Sequence, residues 1–276
     1  MAQIGEITSN SNGQVKNILA LQKKSSARRK QGVFVAEGIK IFLEIPEKYI
    51  VSVYVSESTL AEIHNNTGFD TSINERVRQK LELVPYIKIS DDIALHMSDT
   101  VTPQGIIVVA RMLEYSIEDY INIEENGTFL ILEEIKDPGN MGTIIRTDEG
   151  AGIKMVIMDS KCVDIYNPKV VRSTMGSIFR VPFIIEESLS ETIDLLKKNG
   201  IKTYAAHLEG KEYYDEDMFA ESSAIMIGNE AKGLSQKISQ MADKLIRIPM
   251  DGELESLNAS VAAAILMYEA RKKRNK

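Results

Sequence analysis

Three short segments of this 276-residue chain carry residue types and spacings suited to chemistry. The first reads Asp137-Pro-Gly-Asn-Met-Gly-Thr-Ile-Ile-Arg146. Pro138 and Gly139 make a turn, Asn140 is placed to cap the helix that follows, and Gly142 lets a ligand or another backbone approach closely. Arg146 projects from the second helical turn. It is a permanent cation suited to holding an anion and, with a pKa above ~12, a poor proton acceptor. The second segment is Ala224-Ile-Met-Ile-Gly-Asn-Glu-Ala-Lys-Gly233. An apolar strand runs into a loop bounded by Gly228 and Gly233, whose backbone groups a small ligand can use, with Glu230 at the mouth. The third is Ile248-Pro-Met-Asp-Gly-Glu-Leu-Glu-Ser-Leu-Asn-Ala-Ser260. Pro249 ends a strand there, and Glu255, Ser256, Asn258 and Ser260 gather around a helix start. Taken singly, each segment also reads as plain architecture: a corner with a surface arginine, a connecting loop, and a helix capped by Ser256 or Asn258.

The remaining reactive residues add little to these segments. His64, His96 and His207 fall outside all three, so the usual general base is not offered. Cys162 is the single cysteine, which excludes an intrachain disulfide and a cysteine zinc site. No Gly-x-Gly-x-x-Gly follows the first strand of either half, which argues against a dinucleotide-dependent oxidoreductase.

The elements that position the segments follow from hydrophobic periodicity. Residues 14–31 read as one helix with Val15, Ile18, Leu19 and Leu21 on its apolar stripe. Residues 34–38 read as a strand ending in a glycine turn, and 50–55 and 105–111 as further strands. Together they predict a small α/β domain over residues 1–113. Residues 114–126 are acidic and read as a linker with a short helix. From residue 127 to 276 strands alternate with helices, the strands at 129–132, 155–158, 180–183, 202–206, 224–227 and 245–248, with a last helix from Ser256 to about Lys273. Such alternation predicts a parallel sheet covered on both faces, with ligands at the strand ends.

Net charge is −7, which taken alone argues against a polyanionic partner. Its distribution argues otherwise. Lys16, Lys23, Lys24, Arg28, Arg29, Lys30 and Lys40 face a single acid, Glu37, between residues 16 and 40, and residues 271–276 are basic as well. Acids crowd into 114–125 and 213–221 instead. A local basic cluster on an acidic chain can bind a polyanion, and it reads equally as a solvated helix face. The longest apolar runs have strand length and no secretory signal is visible, so the expectation is a cytoplasmic protein without membrane contact.

Together, in order and spacing, the three segments resemble the signature motifs of the SpoU (TrmH) family of RNA ribose methyltransferases, within the SPOUT superfamily. The matching positions are Asn140, Gly142 and Arg146; Gly228, Asn229, Glu230 and Gly233; and residues 248–250 with 256–260. The likeness continues between motifs, as in Asn167-Pro-Lys-Val-Val-Arg-Ser-Thr-Met-Gly-Ser-Ile-Phe179, and spans about 128–270. The N-terminal part resembles the family's substrate-binding domain through its basic helix, Phe34 and Glu37-Gly38.

The resemblance implies a SPOUT domain with a parallel sheet and a deep trefoil knot, preceded by a small L30e-like α/β domain. It implies S-adenosylmethionine as cofactor, held around Leu208, Gly228, Asn229, Gly233, Ile248, Met250, Leu257 and Ser260. Arg146 is then the key catalytic residue, with Asn140, Glu230, Ser256 and Asn258 shaping the pocket. The methyl donor is already activated by its own charge, so no metal is required. A homodimer through the knotted domain and an RNA substrate gripped by Lys23, Lys24, Arg28 and Arg29 complete the expectation. Ribosomal RNA is preferred over tRNA, and a non-catalytic RNA-binding scaffold is the rival of another class. Asp148 and Glu149 stand where the family more often carries small residues, which predicts an unusually acidic helix beside Arg146.

Overall fold

The computed structural model describes residues 3–121, 126–210, 212–214, 218–251 and 256–274. Contacts divide the chain into two compact units. One comprises residues 1–113 with Tyr166–Phe179, the other 114–165 with 180–276. Residues 114–126 group with the second unit, and Tyr166–Phe179 with the first.

In the first unit, β1 (Gln3–Ile7) precedes α1 (Gly13–Lys23), α2 (Ser25–Gln31), β2 (Val33–Glu37) and α3 (Ile39–Glu44). Next come β3 (Ile50–Ser56), α4 (Glu57–Asn65), α5 (Thr71–Leu83), β4 (Tyr86–Ile89), α6 (Asp91–Met97) and β5 (Ile106–Arg111). The sheet runs β1-β4-β3-β5-β2, with β1, β4 and β3 parallel and β5 antiparallel to both its neighbours. Val15, Ile18 and Leu21 recur at helical spacing on α1 and pack with Val35, Tyr54, Ile107 and Val109 of the sheet. The single helix expected over 14–31 is two helices. Lys24 is extended (φ −125°, ψ 113°) and breaks the run. Phe34 packs at a tilt on Tyr166 (ring centroids 4.7 Å apart) and stacks with Phe179 at 6.1 Å, while the Tyr166 hydroxyl bonds the Leu113 backbone.

The rest of the chain supplies β6 (Thr128–Leu132), α7 (Pro138–Ala151), β7 (Met155–Asp159), α8 (Pro168–Ser173), β8 (Phe183–Glu186) and α9 (Leu189–Lys198). After them come β9 (Lys202–Ala206), β10 (Glu212–Tyr213), β11 (Ser223–Ile227), α10 (Gln236–Ser239), β12 (Lys244–Arg247) and α11 (Ala259–Arg274). Of these, α8 lies in the first unit. The seven strands form one parallel sheet, ordered β10-β12-β9-β11-β6-β7-β8. Central strands β6, β7 and β11 are buried along their whole length, as a sheet covered on both faces requires. Phe129, Ile131, Met155 and Ile157 face a core with Ile193 and Leu196 of α9. The alternate residues turn to the other face, where α7 and α11 pack closely on each other. The strand expected at 180–183 lies at 183–186 instead. Pro182 has no N–H to give the ladder, although its carbonyl accepts from Val156. Among the described residues no helix is long and apolar enough to cross a membrane.

Candidate active site

All seven strands end on one edge of the sheet, and there a cavity of about 420 Å³ opens. Its lining follows three adjacent strands: residues 206–209 after β9, 227–234 after β11, and 246–248 with Met250 after β12. Ser256, Leu257, Ala259 and Ala262 close it from the start of α11. Neighbouring parallel strands feeding loops in one direction are what gather ligands in open α/β sheets.

The loop after β11 is built on two glycines. A Cβ on Gly228 would stand 2.1 Å from the Leu234 nitrogen, so no larger residue fits, and Gly233 holds φ at +67°. The loop then closes on itself. Asn229 N–H donates to Gly233 O at 3.1 Å, and Gly233 N–H to Asn229 O at 2.9 Å. The amides of Ala231 and Lys232 donate to Asn229 Oδ1. Asn229 and Gly233 line the cavity, and their N–H groups are bonded within the loop rather than turned to a ligand.

Glu230 is pinned by four residues. Its carboxylate accepts the backbone amides of Lys136 (3.2 Å) and Asp137 (3.0 Å) and the side-chain amides of Asn140 (3.1 Å) and Asn229 (3.4 Å). Burial works against its charge, and the bonds from Asp137, Asn140 and Lys136 outweigh burial, holding its carboxyl below the usual range. Glu230 is therefore an ionised anchor. Asn140 Oδ1 in turn accepts from Asn258 Nδ2 at 2.9 Å. Asn258 Oδ1 accepts from the Ser260 amide (2.9 Å), its hydroxyl (2.6 Å) and the Val261 amide (3.4 Å), which caps α11. One hydrogen-bonded chain thus joins all three segments singled out in the sequence.

Several assignments shift. Asp137 caps α7, its Oδ1 accepting from the Asn140 amide at 2.8 Å. Asn140 sits one turn inside and is buried, which frees its side chain for Glu230 and Asn258. Ser260, expected against the cofactor, is buried with its hydroxyl committed to Asn258 and does not line the cavity. Leu208, Gly228, Ile248, Met250, Ser256 and Leu257 do line it. Glu255 lies outside the described residues. Arg146 is exposed, and among the described residues it makes no hydrogen bond or ion pair. His207, set aside in the sequence, also lines the cavity, and its Nδ1 accepts the Glu209 amide at 3.2 Å. The available signal was its position just after a parallel strand.

The acidic helix does not materialise as charge beside Arg146. Asp148 is fully buried, which pushes its carboxyl well up, and Glu149 pairs with Arg180 at 2.5 Å. In the first unit, Lys23, Lys24 and Arg29 are exposed. Arg28 is not: it is 3% exposed, and its Nη1 donates to the carbonyls of Leu21 (2.6 Å) and Gln22 (3.1 Å) near the end of α1. Those carbonyls lack helical partners, so Arg28 serves the helix end and leaves the phosphate-gripping set.

The family described as the SpoU rRNA Methylase family matches residues 127–268, and an MRM3-like substrate binding domain matches residues 12–108. A 23S rRNA (guanosine(2553)-2′-O)-methyltransferase of Bacillus subtilis, RlmP, is 35% identical over 183 residues, covering 66% of this chain and 71% of the relative. The crystal structure of an AdoMet-bound rRNA methyltransferase from Sinorhizobium meliloti aligns at TM-score 0.79 and 26% identity, over 97% of each chain. The SpoU methyltransferase AviRb of Streptomyces viridochromogenes, in complex with AdoMet, aligns at TM-score 0.80 and 25% identity, over 96% of this chain and 99% of that one.

Proposed function

The chain belongs to the SpoU rRNA methylase family, and from that premise we propose that it methylates a ribose 2′-hydroxyl in ribosomal RNA. It is an RNA 2′-O-methyltransferase that uses S-adenosylmethionine. The observation that carries our reading of the site is the hydrogen-bonded chain Glu230–Asn140–Asn258, which ties the strand-end cavity to the helix bearing Arg146.

The cavity fits an adenosyl group. Ile227, Ile246 and Leu257 give it apolar walls, and Leu208, 55% exposed, stands at its rim. Gly228, Ile248, Met250 and Leu257 would hold the cofactor, which supplies a methyl group already activated by a sulfonium charge. The protein's task is positioning and electrostatics. Glu230 has its oxygens occupied by donors and acts as an anchor. Arg146 holds the phosphate beside the target ribose, and its charge lowers the pKa of the 2′-hydroxyl so that the phosphate or water takes the proton. Lys23, Lys24 and Arg29 hold RNA backbone on the first unit.

Three finer readings accompany this one. The C-terminal segment is threaded as a trefoil knot. Val261 and Tyr268, each 46% exposed and two turns apart on α11, face a second copy of the chain in a homodimer. The enzyme works in the cytoplasm, where ribosomal RNA matures.

The test is transfer of labelled methyl to total bacterial RNA fractionated by size, with wild type, Arg146→Ala and Arg146→Lys. Label in large ribosomal RNA, lost in the alanine variant and strongly reduced in the lysine variant, is expected. Label in the transfer RNA fraction overturns the substrate, and a lysine variant as active as wild type overturns the role of Arg146.

A further inference from the structure

Between the end of β6 at Leu132 and the start of α7 at Pro138 the chain turns through Glu134, whose φ of +52° is left-handed. A residue with a Cβ is disfavoured there, and such a conformation persists only where its surroundings hold it. Two groups hold the backbone. The Glu134 N–H donates to Oδ1 of Asp159 at 3.0 Å, and its carbonyl accepts from Asn229 Nδ2 at 2.8 Å. The side chain adds an exposed ion pair with Lys161, which contributes little. Asp159 is the last residue of β7 and only 8% exposed. Its carboxylate gives the Glu134 amide a charged acceptor, stronger than a neutral one. Immediately downstream, the amides of Lys136 and Asp137 reach Glu230. The direction in which the chain leaves residue 134 thus decides where those amides point and where α7 begins.

We infer that Asp159 is a positioning residue for methyl transfer. By holding the amide of left-handed Glu134 it fixes the turn that delivers the Lys136 and Asp137 amides to Glu230, and with them Asn140 and Arg146. The inference rests on reading the cavity as the methyl-transfer site. Asp159 acts from a neighbouring strand, through Glu134, and needs no contact with substrate.

A double-mutant cycle tests it, read both as turnover on RNA and as Tm. Asp159→Ala lowers kcat about tenfold, the equivalent of one charge-assisted hydrogen bond, with KM for RNA within about twofold. Asp159→Asn, whose side-chain oxygen still accepts the amide, recovers most of that loss. In a Glu134→Gly background the left-handed turn needs no holding, so there Asp159→Ala costs less than about threefold. The Tm loss from Asp159→Ala shrinks in the same background. Equal losses in both backgrounds, or an asparagine variant no better than alanine, overturn the inference. A wild type that methylates no RNA overturns the functional reading instead. In that case the Tm coupling alone still decides whether Asp159 holds residue 134.

Discussion

Asp148 offers the sharpest test of the packing around α7. It is fully buried, neither carboxyl oxygen has a hydrogen-bond partner among the described residues, and burial raises its pKa well above the ordinary value. An unmet buried polar group costs about 1–3 kcal/mol, while the small cavity left by alanine costs ~1 kcal/mol. Asp148→Ala should therefore be at least as stable as wild type even in acid. Above about pH 4 a second cost enters. The unfolded chain releases the proton and the folded chain keeps it, so folding takes up a proton and each further pH unit costs ~1.4 kcal/mol. The stability is present below the unfolded pKa and is lost as pH rises toward the raised folded value. From pH 4 to pH 6 this amounts to ~2.7 kcal/mol for as long as the buried acid stays protonated. At ~2–4 °C per kcal/mol, the Tm advantage of Asp148→Ala should widen by roughly 5–10 °C across that interval. Thermal unfolding followed by circular dichroism at matched ionic strength measures it, with Asp148→Asn as a non-titrating control. A gap that stays constant between pH 4 and pH 6, or an alanine variant less stable than wild type at pH 6, would refute the reasoning.

Three further outcomes follow from the same structure. Reversing Lys23, Lys24 and Arg29 to glutamate should raise the RNA Kd at unchanged Tm. It should also flatten the salt dependence by ~0.9 in log–log slope for each phosphate no longer neutralised. Arg28→Ala should instead lower stability by about 1–3 kcal/mol with little change in that slope, and a shared phenotype would contradict the separate assignments. His207→Ala should raise KM for S-adenosylmethionine several-fold with kcat within about threefold. A kcat loss of about a hundredfold or more would make His207 the base and overturn electrostatic activation by Arg146.

The central strands of the second unit's sheet were legible because they are buried on both faces, whereas β8 was misplaced and the two-residue β10 was not foreseen. Continuous apolar runs such as Phe129-Leu-Ile-Leu132 are hard to read otherwise. Two strands of the first unit gave no such signal. β1 carries Gly5 and little burial, and β4 is four residues long, so neither shows a usable alternation. The break at Lys24 has no proline or glycine to announce it. The site was legible as three segments, since each gathers glycines with polar side chains at a turn beside a strand end or a helix start. Which group bonds which was not. Arg28 and Arg29 are chemically the same in sequence, yet one is buried against α1 and the other exposed. Glu134 was invisible because its special property is a backbone angle that its side chain does not announce. Asp148 was read as surface charge because an acid in a helix usually is.

The chain from Glu230 through Asn140 to Asn258 closes over sequence separations of 90 and 118 residues. Such contacts form late, because long loops must be closed before any of the bonds is gained. During synthesis, Arg146 and the turn that carries it leave the ribosome long before Asn258 exists to hold Asn140. A nascent chain that has folded its first unit therefore has no assembled centre with which to modify RNA. On the proposed reading of Lys23, Lys24 and Arg29, capacity to bind would precede capacity to react in the life of each molecule.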